Sequence, residues 1–197
     1  MYTRRRIQHR NDLTHKISSI PETVQGWLVI RISGSPYQRG YQHGVAIASE
    51  FAQLQDMLKF ITWENLAMEW QDIIEIARTE FSSEIKNNFR EFYEEMEGIA
   101  DGCTEAGTPT NIHEIVAWNN YITIVDCYLP YGKNEPRKKS DRCSAFIATG
   151  SYTKDGKIVM AHNSFCEFVD GQYYNIILDI QPSSGNRILM QTAPGCI

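Results

Sequence analysis

The sequence lacks any apolar run near the roughly 18 residues of a membrane-spanning helix, so no transmembrane segment is expected. The basic start, Met1-Tyr2-Thr3-Arg4-Arg5-Arg6, is not followed by an apolar stretch, so no secretory signal peptide is expected either. There is no CxxC pair. Five cysteines, an odd and irregularly spaced set, suit neither a disulfide scaffold nor a zinc site. Reduced thiols are the simplest reading, and they point to a cytoplasmic setting. Positive charge is not in excess: 19 Lys and Arg face 24 Asp and Glu, and the net charge of −5 argues against a nucleic-acid partner. No internal repeat or low-complexity tract is present.

What remains is the composition of a globular protein, 42% hydrophobic and 22% charged over 197 residues, enough to bury a core. Residues 1–26 read as a polar, irregular lead-in. Gly26 to Ile32 has strand composition and stops at Ser33-Gly34-Ser35-Pro36. From there Tyr41, Val45, Ala48, Ala52, Leu54, Met57, Leu58 and Ile61 predict an amphipathic helix, with Ser35 as N-cap and Pro36 in the first position. A second helical stretch is predicted from about Glu69 to Ala100, with Phe81, Phe89 and Phe92 as core residues. It ends at Asp101-Gly102 and Ala106-Gly107-Thr108-Pro109. A third helix, capped by Asn111, runs to about Tyr128 and carries Trp118.

After Leu129 a turn-rich, basic segment reaches Arg142. Four strands follow, 143–149, 157–161, 173–180 and 187–191, with turns at Lys154-Asp155-Gly156 and Pro182 to Asn186. Helices first and antiparallel strands afterwards predict an α+β fold. The organisation expected is a lead-in (1–26), a strand with a helical leader (27–142), and the first strands of a core (143–197). Strands apolar on both faces need more cover than these residues supply. The chain is therefore expected to be the N-terminal part of a larger protein, its fold completed by a C-terminal part.

Cys143 stands at the junction between the basic loop and the first of these strands. Cys103, Cys127, Cys166 and Cys196 read as structural. If the Arg142–Cys143 bond is cut, Cys143 carries a free α-amine beside its thiol. An α-amine has a pKa near 7.7–8.0 and a thiol one near 8.5, so the amine can act as base for its own side chain at neutral pH.

Three motifs carry a family resemblance. The first is Gly34-Ser35-Pro36-Tyr37-Gln38-Arg39-Gly40-Tyr41-Gln42-His43-Gly44. The second is Phe92-Tyr93-Glu94-Glu95-Met96-Glu97-Gly98-Ile99-Ala100, with Ile112-His113-Glu114-Ile115 and Trp118-Asn119. The third is Asp141-Arg142-Cys143-Ser144-Ala145-Phe146, followed by Asp155-Gly156 and His162-Asn163-Ser164-Phe165. In this order they resemble the autoproteolytic N-terminal-nucleophile hydrolases typified by isopenicillin-N acyltransferase, and also the phospholipase B-like proteins.

The resemblance implies an αββα sandwich and no metal or organic cofactor. It implies an amidohydrolase or acyltransferase with a small acyl or amide substrate. Cys143 would be the nucleophile, formed by autocleavage between Arg142 and Cys143. By order along the chain it selects Cys143 over Cys103, although Asp101-Gly102-Cys103-Thr104 is like the acyltransferase's own cleavage string. Asn163 is either a hydrogen-bond donor to the α-amine or oxyanion, or a turn residue. Asp141 either orients the scissile loop or is a surface charge, and Ser144 is a further supporting candidate. His162 alternates with Asn163 and is left out of catalysis. His43 is expected to pack against the sheet, its neighbouring glycines allowing close approach. Arg142 stands where the acyltransferase has glycine, and Asn163-Ser164-Phe165 where it has Asn-Trp-Asp. The competing reading is a non-catalytic α+β interaction protein in which Cys143 is an ordinary strand residue.

Overall fold

The computed structural model describes residues 22–132, 143–166 and 168–197. The fold is α+β. The N-terminal part begins with a β-hairpin, β1 (Glu22–Val24) and β2 (Trp27–Gly34), where the sequence alone reads as lead-in up to residue 26. Gln25 and Gly26 both have positive φ, as a two-residue hairpin turn demands.

A 31-residue helix, α1 (Pro36–Leu66), follows. Pro36 fits its first position, and the Gln38 side chain reaches back to accept from the Ser35 amide at 2.9 Å. The helix ends at Ala67, whose left-handed φ of 52° turns the chain.

The second predicted helix is divided. It comprises α2 (Trp70–Ile76), a π-helical turn (Ala77–Phe81), α3 (Ser82–Asn88) and α4 (Arg90–Glu105). The wider π turn and the non-helical Phe89 (φ −133°, ψ 51°) reset the helical phase. Phe89 and Phe92 are consequently not core: both are 56% exposed and stack on each other, with ring centroids 6.4 Å apart. Gly102 does not end a helix, since α4 continues to Glu105.

Asn111 caps α5 (Ile112–Asn119), its side chain accepting from the Glu114 amide at 3.1 Å. A short α6 (Tyr121–Thr123), a second π turn (Ile124–Tyr128) and α7 (Leu129–Gly132) follow. The carboxylate of Glu114 joins three helices. It accepts from Trp70 Nε1 and from Gln55 Nε2, each at 3.1 Å.

The remaining strands are β3 (Ser144–Gly150), β4 (Gly156–Asn163), β5 (Ile176–Pro182) and β6 (Ile188–Thr192), with α8 (Phe168–Gly171) between the pairs. They do not form one antiparallel run. β3 and β4 make their own two-stranded ladder, while β5 joins β2 in parallel and β6 lies outside β5, giving the order β1-β2-β5-β6. Strands on either side of residue 142 therefore share one sheet.

The inner face of that sheet presents Ile30, Ile32, Ile176, Leu178 and Ile180 to α1, in the alternation a half-covered sheet requires. The outer face carries Asp179, which accepts from Arg187 Nε at 2.7 Å and Nη2 at 2.6 Å. The β3–β4 hairpin has no such inner face. Phe146, Ile147, Ile158, Val159 and Met160 are all exposed, on both of its sides.

Candidate active site

The first two motifs meet each other. Gly40 and Gly44 of α1 lie against Gly98 and Gly102 of α4, so closely that a methyl group on any of the four would occupy the partner's backbone. The Gly40 site abuts the Glu95 carbonyl, the Gly98 site the Tyr37 carbonyl. Arg39 donates to Glu95 at 2.6 Å in a largely buried ion pair, and Tyr37 donates to Asp101 at 2.8 Å.

Gln42 ties the same helix to β2. It accepts from the Ser33 amide at 3.1 Å and donates to the Ser33 carbonyl at 2.8 Å. The glycines around His43 thus admit α4, not the sheet. His43 is fully buried, neither ring nitrogen has a partner among the described residues, and burial lowers its pKa to about 4.

Trp118 and Asn119 hold residues 194–197. Trp118 Nε1 donates to the Pro194 carbonyl at 2.9 Å. Asn119 donates to the Gly195 carbonyl at 2.8 Å and accepts from the Ile197 amide at 3.1 Å. Gly195 needs its positive φ of 75° to make this turn, and a Cβ there would press on the Phe51 ring. The end of β6 is thereby fixed to the helical layer.

Cys143 immediately precedes β3 and is exposed. The Phe165 amide donates to its sulfur at 3.4 Å. Across the ladder, Asn163 pairs with Ser144 and His162 with Ala145. Asn163 and Ser144 therefore share one face, and His162 faces the opposite way. His162 Nδ1 lies 3.4 Å from Ser164 Oγ. Asp141 and Arg142 lie outside the described residues.

The other cysteines differ in their surroundings. Cys103 is buried, donates to the Gly44 carbonyl at 3.4 Å, and is pushed up to about 12 by burial, which leaves it inert at neutral pH. Cys196 is likewise raised to about 12 by burial. Cys166 is exposed beside α8, where a Cβ at Gly171 would stand 2.9 Å from its sulfur. Its thiol is raised by partial desolvation, then by the charges of Asp170 and Cys143. Tyr174 is raised to about 12 by burial, then by Cys196, Asp170, Cys166 and Cys143.

Sequence reasoning passed over the Phe165 amide, Cys166 and Tyr174 as neighbours of Cys143. The ladder sets the residues just after Asn163 beside the residue just before Ser144, in a register shifted between Ala148 and Gly150 that the sequence does not signal. The open concavity formed by Phe146, Tyr152, Lys154 and Val159 lies at the turn end of this hairpin, away from Cys143.

No family model matches the sequence. The chain is 28% identical over 191 residues to an uncharacterized protein of Archaeoglobus fulgidus, an alignment that covers 90% of this chain and 31% of the relative. The chain thus spans about a third of that relative's length. Among the described residues, no helix is long and apolar enough to cross a membrane.

Proposed function

We propose that the chain is the leader and first core strands of an autoprocessed cysteine amidohydrolase or acyltransferase of the N-terminal-nucleophile class. The observation that carries this reading is the setting of Cys143. Its exposed sulfur stands immediately before β3, with the Phe165 amide 3.4 Å away. A buried structural thiol such as Cys103 has neither exposure nor an amide donor of this kind.

Processing begins when Cys143 Sγ attacks the Arg142 carbonyl carbon. The peptide C–N bond breaks, the Cys143 nitrogen leaves as an amine, and a thioester remains. Water opens the thioester, giving the Arg142 carboxylate and a free thiol. The new α-amine then takes the thiol proton as the sulfur attacks an amide, ester or thioester carbonyl of a small acyl substrate. Water or an amine resolves the acyl-enzyme.

Asn163, across from Ser144, donates to the α-amine or the developing oxyanion, a contribution commonly worth about 2.7–4 kcal/mol. Ser144 supports the same face of the ladder, and Asp141 orients the loop. The reading assigns the apolar residues on both sides of the β3–β4 hairpin to the interior of an αββα sandwich. Its further layers and remaining oxyanion donor are supplied by a C-terminal part, in keeping with the greater length of the archaeal relative.

Thiol reactivity tests the nucleophile. Under limiting iodoacetamide, Cys143 is expected to alkylate faster than the other four cysteines, read by peptide mass spectrometry. Uniformly slow labelling of all five would favour a non-catalytic interaction protein.

A further inference from the structure

We propose that Cys166 is a resolving thiol for Cys143, and that a hydroperoxide converts the two into a reversible disulfide that masks the nucleophile. The pair is set by the backbone. The Phe165 amide nitrogen stands 3.4 Å from Cys143 Sγ, and Cys166 is the next residue along the chain. One peptide unit separates that nitrogen from the Cys166 Cα, so the Cys143 sulfur lies within about 8 Å of it. Both residues are exposed, which admits a small oxidant.

The surroundings divide the two roles. Cys143 stands just before β3, exposed and with the Phe165 amide on its sulfur, and is the thiol that attacks first. Cys166 is packed against Gly171 of α8, where partial desolvation and then the charge of Asp170 favour its thiol form, and it enters second. Other pairings have a poorer claim, because Cys103 is sealed in the α1–α4 interface and Cys196 is held within the segment that Asn119 grips on both sides of it.

The chemistry balances with one molecule of the simplest hydroperoxide, hydrogen peroxide. Cys143 thiolate attacks the peroxide oxygen, the O–O bond breaks, and hydroxide leaves a sulfenic acid. Cys166 thiolate then attacks the Cys143 sulfur, the S–O bond breaks, and a second hydroxide leaves. Two thiols are oxidised, the peroxide is reduced, and the released protons and hydroxides form two waters. An external dithiol reverses the bond by exchange.

The bond itself rests on geometry alone, whereas its consequence as an off-switch rests on the function proposed above. The test exposes the full chain to one equivalent of hydrogen peroxide and maps it by non-reducing trypsin digestion. Lys154 and Lys157 lie between the two cysteines, so a disulfide joins two separate peptides. The expected product is the Cys143–Cys166 linked peptide, two hydrogens lighter than its parts. Alkylation of Cys143 should fall by at least about tenfold and return with dithiothreitol. In Cys166→Ser the link should vanish and a sulfenic acid at Cys143 should become trappable by dimedone.

Cys143 driven to sulfinic acid in the unaltered protein, or linked to another cysteine, overturns the inference. So does continued alkylation of both thiols after peroxide. Scoring Arg142–Cys143 cleavage under reducing conditions in Cys166→Ser separates the two ideas. Cleavage without a disulfide defeats only the redox pair, and a disulfide without cleavage defeats only the enzymatic reading.

Discussion

Ser144 stands directly across the β3–β4 ladder from Asn163, and the irregularity between Ala148 and Gly150 is what places it there. Gly150 pairs with Gly156 next to the turn, and beyond the bulge the register has moved by one residue. Cys143 consequently sits just outside the ladder, against the Phe165 amide rather than opposite Asn163. On the proposed mechanism Asn163→Ala should lower acyl transfer by about 10²- to 10³-fold. His162→Ala, on the opposite face, should stay near the unaltered rate. Steady-state kinetics on the processed protein checks both, and an inert Asn163 substitution would remove that residue from the mechanism.

The α1–α4 crossing makes a prediction of stability. Gly44→Ala and Gly98→Ala each place a methyl group on the opposing backbone, so the helices must separate. Each should cost at least about 1–3 kcal/mol in urea unfolding. Gly132→Ala, with nothing within 4 Å of the new methyl, serves as the control and should change little.

His43 predicts a pH dependence. Its pKa is about 4 when folded, because burial disfavours the cation, and about 6.5 when unfolded. Above pH 6.5 neither state holds the proton. As the pH falls from 6.5 to 4 the unfolded state takes it up first, so stability drops, by about 3 kcal/mol in total. Glu95 and Glu114, both raised by burial, act with the opposite sign. Urea unfolding between pH 7.5 and 5.5 should therefore show a slope that His43→Leu flattens, and an unchanged slope in that variant would assign the effect elsewhere.

Asn119 is expected to be structural. Its side chain satisfies the Gly195 carbonyl and the Ile197 amide together. Asn119→Ala leaves both without that partner and should cost about 1–3 kcal/mol. Peptide-resolved hydrogen exchange should place the loss of protection at residues 193–197.

Much of this arrangement was legible in the sequence. Ser35 and Pro36 start α1 and Asn111 caps α5, because capping depends on a few adjacent residues. The positions of the later strands followed from alternation and turns. Their partners did not, since the parallel pairing of β5 with β2 is a contact between residues far apart in sequence. Phe89 and Phe92 fell on the wrong face because a π turn breaks the 3.6-residue period without any sequence punctuation. The spacing of Gly40, Gly44, Gly98 and Gly102 was visible, but only the packing shows that the two pairs meet. That Cys143 stands at the start of a strand was legible from the apolar run that follows it. The Phe165 amide and Cys166 depended on a bulge that no residue type announced.

The central claim is that Cys143 becomes an N-terminus, and intact-mass spectrometry with N-terminal sequencing of the complete gene product tests it most directly. The account predicts a C-terminal fragment beginning at Cys143, absent from Cys143→Ala. Only uncut protein after prolonged incubation, together with activity unaffected by Cys143→Ala, would contradict it.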